Sequence, residues 1–146
     1  MADNEPNCVF CEIAAGKAPA YWVYEDALSY AILDINPYTQ GHCLVIPRRH
    51  VPWWHEMTEE ETSSLFNAAR VVANRMMRVY QPDFVLTFTR GRRIPHTHIF
   101  LIPTYSGDLL DRFFNALEKV QESPSELARL REASSMQQAA QMLRQD

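Results

Sequence analysis

The sequence predicts an α+β domain, an antiparallel sheet carrying one long helix, followed by a helical extension. Three observations predict it. Short apolar segments bounded by turn residues recur as far as Pro103. One capped stretch of helical period interrupts them, and beyond Pro103 the pattern is helical with no strand signal.

The elements follow in order. Cys8 to Ala15 predicts a short helical turn that ends at Gly16, with Pro19 beyond it. Tyr21 to Tyr24 and Leu28 to Leu33 read as strands around a Glu25-Asp26 turn. Asp34 to Gly41 has the Asn, Pro and Gly of a loop. Cys43 to Pro47, CLVIP, is a buried strand. Thr58 and Glu61 form a capping box, and Glu59, Glu60 and Glu61 suit the positive end of a helix dipole. Leu65, Phe66, Ala69, Val72, Ala73 and Met76 then recur at helical spacing up to Pro82. Phe84 to Thr89 and Ile94 to Ile102 are the last strands, joined by a loop at Gly91. The tail begins with an amphipathic segment, Asp108 to Gln121, with Leu109, Leu110, Phe113, Phe114 and Leu117 on one side. Ser123-Pro124 restarts a helix that runs to about Arg144. The expected division is residues 1–104 and 105–146.

Composition narrows the function classes. A chain of 146 residues with 47% apolar content suffices for one core. A net charge of -4 gives no bulk attraction to nucleic acid, which is not an expected partner. No apolar run approaches the ~20 residues a membrane helix needs, and a membrane is not an expected partner either. Met1 to Asn7 lacks the basic-then-apolar pattern of a secretory signal, so the expected location is cytoplasmic. Three cysteines, an odd number, read there as thiols or metal ligands.

Four groups have chemical potential. Cys8 and Cys11 have the spacing of half a tetrahedral zinc site. The spacing alone leaves a redox pair or two packed thiols open, although a redox pair is expected to open a long helix after a strand. His50, following CLVIP, and His96, opening the last strand, are candidates to complete a metal site; either reads equally as a structural histidine. His42 reads as a loop-packing residue. His96 and His98 are two apart on the expected strand, so both face one side with Ile94 and Phe100, while Thr97, Ile99 and Leu101 face the other. One of the pair can bind metal while the other acts as base or nucleophile. Arg90, Arg92 and Arg93 form either a phosphate-binding loop or a solvated basic one. Trp53, Trp54 and His55 read as packing or interface residues.

These residues, in order, carry a resemblance. Cys8-x-x-Cys11, Tyr24-Glu25-Asp26, Leu33-Asp34-Ile35-Asn36-Pro37, Gly41-His42-x-Leu44-Val45-Ile46-Pro47-Arg48-Arg49-His50, Pro95-His96-Thr97-His98 and Ile102-Pro103 together resemble the histidine-triad (HIT) family, in its zinc-carrying bacterial branch. The resemblance runs from Cys8 to Pro103 and leaves the tail uncovered; Gly41 to His50 is its most specific part. It implies a homodimer that binds a purine nucleotide or nucleotide conjugate and cleaves phosphoramidates, dinucleoside polyphosphates or nucleotidylated adducts. By the resemblance His98 is the nucleophile, and Cys8, Cys11, His50 and His96 hold a structural zinc. Asp34 takes the ribose hydroxyls, and Phe10, Ile13, Leu33 and Ile35 sandwich the base. Thr89, Arg92 and Arg93 stand where the family contacts phosphate.

Two departures from the family pattern stand out. Phe100 replaces the third signature histidine, removing a donor worth roughly 10²–10³ in rate at a developing oxyanion. The loop before the signature is shortened, with Thr89 at an Asn position and arginines at the Gln and Ser positions. Three readings follow: a nucleotidyl hydrolase or transferase using His98, an impaired nucleotide-binding or sensor module, or a structural zinc protein with a vestigial pocket. Retention of Asp34 and His98 argues against the third, Phe100 and the altered loop keep the second open, and the surviving nucleophile with arginines as substitute phosphate donors favours the first.

Overall fold

The computed structural model describes residue 5 and residues 7–122 and 125–145. In chain order these form α1 (Val9–Ala14), β1 (Trp22–Glu25), β2 (Ser29–Leu33), β3 (Cys43–Pro47), α2 (Glu59–Tyr80), β4 (Phe84–Phe88), β5 (Ile99–Thr104), α3 (Leu109–Glu122), α4 (Ser125–Ala128) and α5 (Ala133–Leu143). The strands make one antiparallel sheet in the order β1-β2-β3-β5-β4. The α+β architecture read from the sequence is therefore the one observed. The chain falls into two compact units that divide between Ser106 and Gly107.

In the first unit, alternation along each strand sorts side chains into two apolar layers. Ala31, Cys43, Val45, Ile99 and Leu101 face α2, which buries Leu65, Ala68, Ala69, Val72 and Met76 against them. Phe66, expected in that stripe, is 49% exposed. It lies one position from Leu65, about 100° around the helix, and Ala68 takes the inward place. On the other face Tyr30, Ile32, Leu44 and Ile46 are covered by Cys8, Phe10, Cys11 and Ile13. The Tyr30 hydroxyl donates to the Phe10 carbonyl at 2.7 Å, tying α1 to that face. Register pairs Ile32 with Leu44, Leu44 with Phe100 and Phe100 with Phe88, so Phe100 lies in an apolar row across the sheet.

Helix α1 stops before Gly16, whose φ of 75° suits a residue without Cβ. Helix α2 opens on the expected capping box: Thr58 Oγ1 accepts from the Glu61 amide at 3.1 Å, and Glu61 Oε1 accepts from the Thr58 amide at 3.0 Å. The same carboxylate takes two hydrogen bonds of 2.8 Å from Arg49. That pair anchors the segment leaving β3, immediately before His50.

The last strand is shorter than expected. It begins at Ile99; Ile94, Pro95 and His96 run as bends, and Thr97 and His98 are irregular, all outside the ladder. Pro95 has no amide hydrogen to give a strand neighbour. Thr97 instead gives both its amide, at 2.8 Å, and its hydroxyl, at 2.7 Å, to the Val51 carbonyl.

The second unit contains α3, α4 and α5. The Asp111 amide donates to Asp108 Oδ1 at 2.9 Å, an N-terminal cap on α3, and Asp111 Oδ2 accepts from the Gly107 amide at 2.8 Å. Arg131 donates to the Glu122 carbonyl at 2.8 Å. The expected Ser123-Pro124 restart lies outside the described residues. Among the described residues no helix is long and apolar enough to cross a membrane.

The Arg49–Glu61 pair, with Glu61 buried and Arg49 half-buried, makes stability depend on pH. The Arg49 guanidinium, with the Thr58 contacts, holds the Glu61 carboxyl down at about 2 from a usual 4.5, against the opposing effect of burial. A depressed carboxylate contributes stability that is complete above pH 4.5 and is lost as pH falls through about 2. Glu61→Gln is expected to cost about 2–3 kcal/mol at pH 7, reduced by the partial solvent access of Arg49. Urea denaturation at stepped pH should show that difference shrinking below pH 4.5 and gone near pH 2.

Candidate active site

Three separate elements bring four ligand side chains together. Cys8 caps α1, Cys11 lies within it, His50 follows β3, and His96 sits in the bend before β5. Their donor atoms all lie within 4.8 Å of one another. Cys8 Sγ is 3.4 Å from His96 Nδ1, Cys11 Sγ is 3.5 Å from the same nitrogen, and Cys11 Sγ is 3.3 Å from His50 Nδ1. A tetrahedral ion bonded at about 2.3 Å to sulfur and about 2.05 Å to nitrogen sets sulfur and nitrogen about 3.5 Å apart. Donor identity, number and spacing therefore fit such an ion.

Protonation fits as well. His96 Nε2 is 2.7 Å from the Pro47 carbonyl, which only accepts, so Nε2 carries the hydrogen and Nδ1 presents a bare lone pair to the thiols. Burial pushes the His96 imidazole down to about 4, keeping it neutral. Burial pushes the Cys11 thiol up to about 11, so it is a thiol at neutral pH until a cation displaces its proton. Cys43 stands apart, its thiol donating to the Gly41 carbonyl.

The carbonyl of His96 orients the next histidine. His98 Nδ1 lies 2.7 Å from it and must donate, which leaves Nε2 unprotonated. Nε2 makes no hydrogen bond within the described residues. Phe10 packs between the two rings, 5.7 Å from His96 and 5.1 Å from His98, and Phe100 lies 5.6 Å from His98. The Thr89 hydroxyl donates to the His98 carbonyl at 2.7 Å.

The remaining expected site residues divide. Phe10 and Ile13 line the face that carries His98. Leu33 does not: it packs against the opposite, α2-side core, and Ile32 sits with Phe10 and Ile13 instead. The alternation of β2 carried this signal, because Tyr30 and Ile32 share a face that Leu33 cannot. Ile35 is 83% exposed in the loop after β2. Asp34 Oδ1 accepts from the Asn36 amide at 2.8 Å, and its Oδ2 lies 3.4 Å from Nε2 of His42, a residue read from sequence as loop packing. The Thr89 hydroxyl hydrogen is engaged by the His98 carbonyl. Arg90, Arg92 and Arg93 are exposed, and Arg93 borders an open cleft with Cys8, Val9, His50 and Ile94. No hydrogen bond joins Arg92 or Arg93 to His98 among the described residues.

Two differently tethered histidines thus stand just before β5, beside the Phe10 wall, with a carboxylate in the loop after β2. The HIT domain matches residues 15–107. "Protein hit" of Bacillus subtilis is 37% identical over 108 residues, covering 70% of this chain and 74% of that protein. Adenylylsulfatase HINT3 of Arabidopsis thaliana is 34% identical over 109 residues, 71% of this chain and 55% of its own. Adenosine 5'-monophosphoramidase hnt1 of Schizosaccharomyces pombe is 32% identical over 101 residues, 66% of this chain and 74% of its own. Among solved structures, a zinc-bound histidine triad family protein from Mycobacterium smegmatis superposes with a TM-score of 0.65 at 27% identity, covering 78% of this chain and 97% of that one. This chain belongs to the HIT family.

Thr89 provides a direct check on how His98 is held. Thr89→Val keeps the shape and removes one hydrogen bond, so unfolding should be easier by about 1 kcal/mol. Solution NMR of the His98 ring in that variant should show broadened or displaced signals while those of His96 stay in place.

Proposed function

We propose that this protein is a nucleotidyl hydrolase or transferase that cleaves at the α-phosphate of a nucleoside phosphoramidate or dinucleoside polyphosphate. The observation that carries the reading is the His98 Nδ1–H to His96 carbonyl bond of 2.7 Å, which presents a bare Nε2 beside the Phe10 wall. Relatives named for phosphoramidase and adenylylsulfatase activity support the substrate class.

The chemistry runs in two displacements. His98 Nε2 attacks the α-phosphorus, the bond from phosphorus to the leaving nitrogen or oxygen breaks, and the leaving group takes a proton from solvent. The resulting nucleotidyl-imidazolium keeps its Nδ1–H on the His96 carbonyl, which stabilises the positive charge. Water then attacks phosphorus, loses a proton to solvent and releases nucleotide and His98. Asp34 accepts the ribose hydroxyls; Phe10, Ile13 and Ile32 pack the base edge of the site. Arg92 and Arg93 supply cationic donors in a loop whose Thr89 hydroxyl is already committed.

Cys8, Cys11, His50 and His96 would hold zinc, which with four protein ligands supplies structure and no open position for substrate. The ion ties α1, and with it Phe10, to the segment carrying His98. The three free thiols fit a reducing, cytoplasmic setting, and the unpaired outer edge of β1 or β4 is what a sheet continuous across a homodimer requires. Phe100 favours a second reading, a nucleotide-binding module without turnover, because a phenyl ring donates nothing to phosphate.

Turnover of adenosine 5′-phosphoramidate and a diadenosine polyphosphate separates the two. The enzyme reading expects slow hydrolysis that His98→Asn abolishes and Phe100→His raises by roughly 10-fold or more. Binding of AMP by calorimetry with no turnover, even in Phe100→His, makes it a binding module. Metal analysis is expected to give about one zinc per chain, falling to none in Cys11→Ser, with a lower melting temperature.

A further inference from the structure

A buried, unsatisfied donor lies where β3 begins, beside the end of β2. His42 is 1% exposed, and its Nε2 is the one buried side-chain nitrogen or oxygen without a hydrogen-bond partner among the described residues. Its other ring nitrogen, Nδ1, accepts from the Tyr38 amide at 3.2 Å. An accepting Nδ1 puts the hydrogen of a neutral ring on Nε2. Burial lowers the affinity of this imidazole for a second proton, and the Asp34 carboxylate opposes that effect more weakly.

The orphan N–H has a target. Asp34 Oδ2 is 3.4 Å away, near enough for attraction and outside hydrogen-bond geometry. The backbone holds the two residues together, since the Asp34 amide donates to the His42 carbonyl at 2.9 Å. Rings brace the imidazole: Tyr38 stacks on it at 5.7 Å and 15°, and Phe100 meets it edge-on at 5.2 Å. A leucine or phenylalanine would fill the space without burying an unsatisfied donor, which ordinarily costs about 1–3 kcal/mol. The donor is therefore unexplained by packing and explained by the carboxylate it faces.

We infer that His42 is a positioning residue for Asp34: its Nε2–H closes onto Oδ2 when a ribose is bound, fixing the carboxylate between that bond and the Asn36 amide. Oδ1 is already held by Asn36 at 2.8 Å. With one lone pair of each oxygen engaged by protein, the remaining lone pairs are directed at two vicinal hydroxyls. The selectivity created is for ribonucleotides over nucleotides lacking the diol. This inference rests on the reading that Asp34 binds ribose.

The test compares AMP with 2′,3′-dideoxy-AMP by calorimetry on the full chain. The wild type is expected to prefer AMP by roughly 10-fold or more, as charge-assisted hydrogen bonds would give. His42→Phe keeps a ring and removes the donor; the preference is expected to collapse severalfold. His42→Gln places an amide N–H near the Nε2 position and should restore most of it. A His42→Phe protein that folds and keeps the full preference, while Asp34→Asn loses it, overturns the inference and leaves the ribose reading standing. Loss of the preference in neither variant overturns the ribose reading itself. Nitrogen-15 NMR of the wild type needs no substitution. The His42 Nε2–H signal should move downfield with AMP and stay with 2′,3′-dideoxy-AMP; an Nδ1–H tautomer would contradict the inference.

Discussion

Two main-chain carbonyls fix the direction of the two histidines on which the site depends. The Pro47 carbonyl takes the Nε2 hydrogen of His96, and the His96 carbonyl takes the Nδ1 hydrogen of His98. Each bond sets a tautomer, and the two settings are opposite. His96 turns a bare Nδ1 toward two thiols, while His98 turns a bare Nε2 away from the backbone. A pair of identical side chains separated by one residue thereby acquires distinct chemistry, one lone pair facing two thiols and the other left free. The carbonyls can do this because Pro47 closes β3 and because Pro95 and the Val51 contacts keep the chain bent before β5.

The rest of the first unit supplies rigidity to that arrangement. Helix α2 covers one sheet face, and its capping carboxylate reaches out to Arg49, one residue from His50. Helix α1 covers the other face with only six residues, too short to be stable alone. Its hold comes from the Tyr30 hydroxyl, from Phe10 against both histidines, and from the two cysteines in the ligand cluster. A change at the cysteine pair would therefore reach Phe10 and, through it, both histidine rings.

Much of this was legible in the sequence because strong local signals agreed. CLVIP and the Thr58–Glu61 box each have a single good structural solution, whereas the Cys8–Cys11 spacing points to a metal cluster only together with His50 and His96. The misreadings have physical causes. Apolar alternation running through Ile94 predicts a strand at His96, whereas Pro95 and the Thr97 bonds to Val51 withdraw that segment from the ladder. Strand alternation turns Leu33 to the α2 side and brings Ile32 to the face of Phe10. An apolar residue beside Leu65 fits a wide stripe in sequence, yet Phe66 falls at the edge of that stripe. The proximity of His42 to Asp34 spans a loop whose path no periodicity encodes.

Phe100 sits in an apolar row with Leu44, Ile32 and Phe88, so the sheet accommodates it without strain on neighbouring pairs. In the proposed reaction the missing donor burdens chemistry and not packing, and His98 with its tethered Nδ1 is the group on which turnover would rest. Rapid-quench intact-protein mass spectrometry after mixing with diadenosine polyphosphate tests that most directly. A transient gain of one adenylyl group, mapped to His98, is the predicted result. Nucleotide release with no adduct in the quenched protein, or an adduct mapped to another residue, would contradict it.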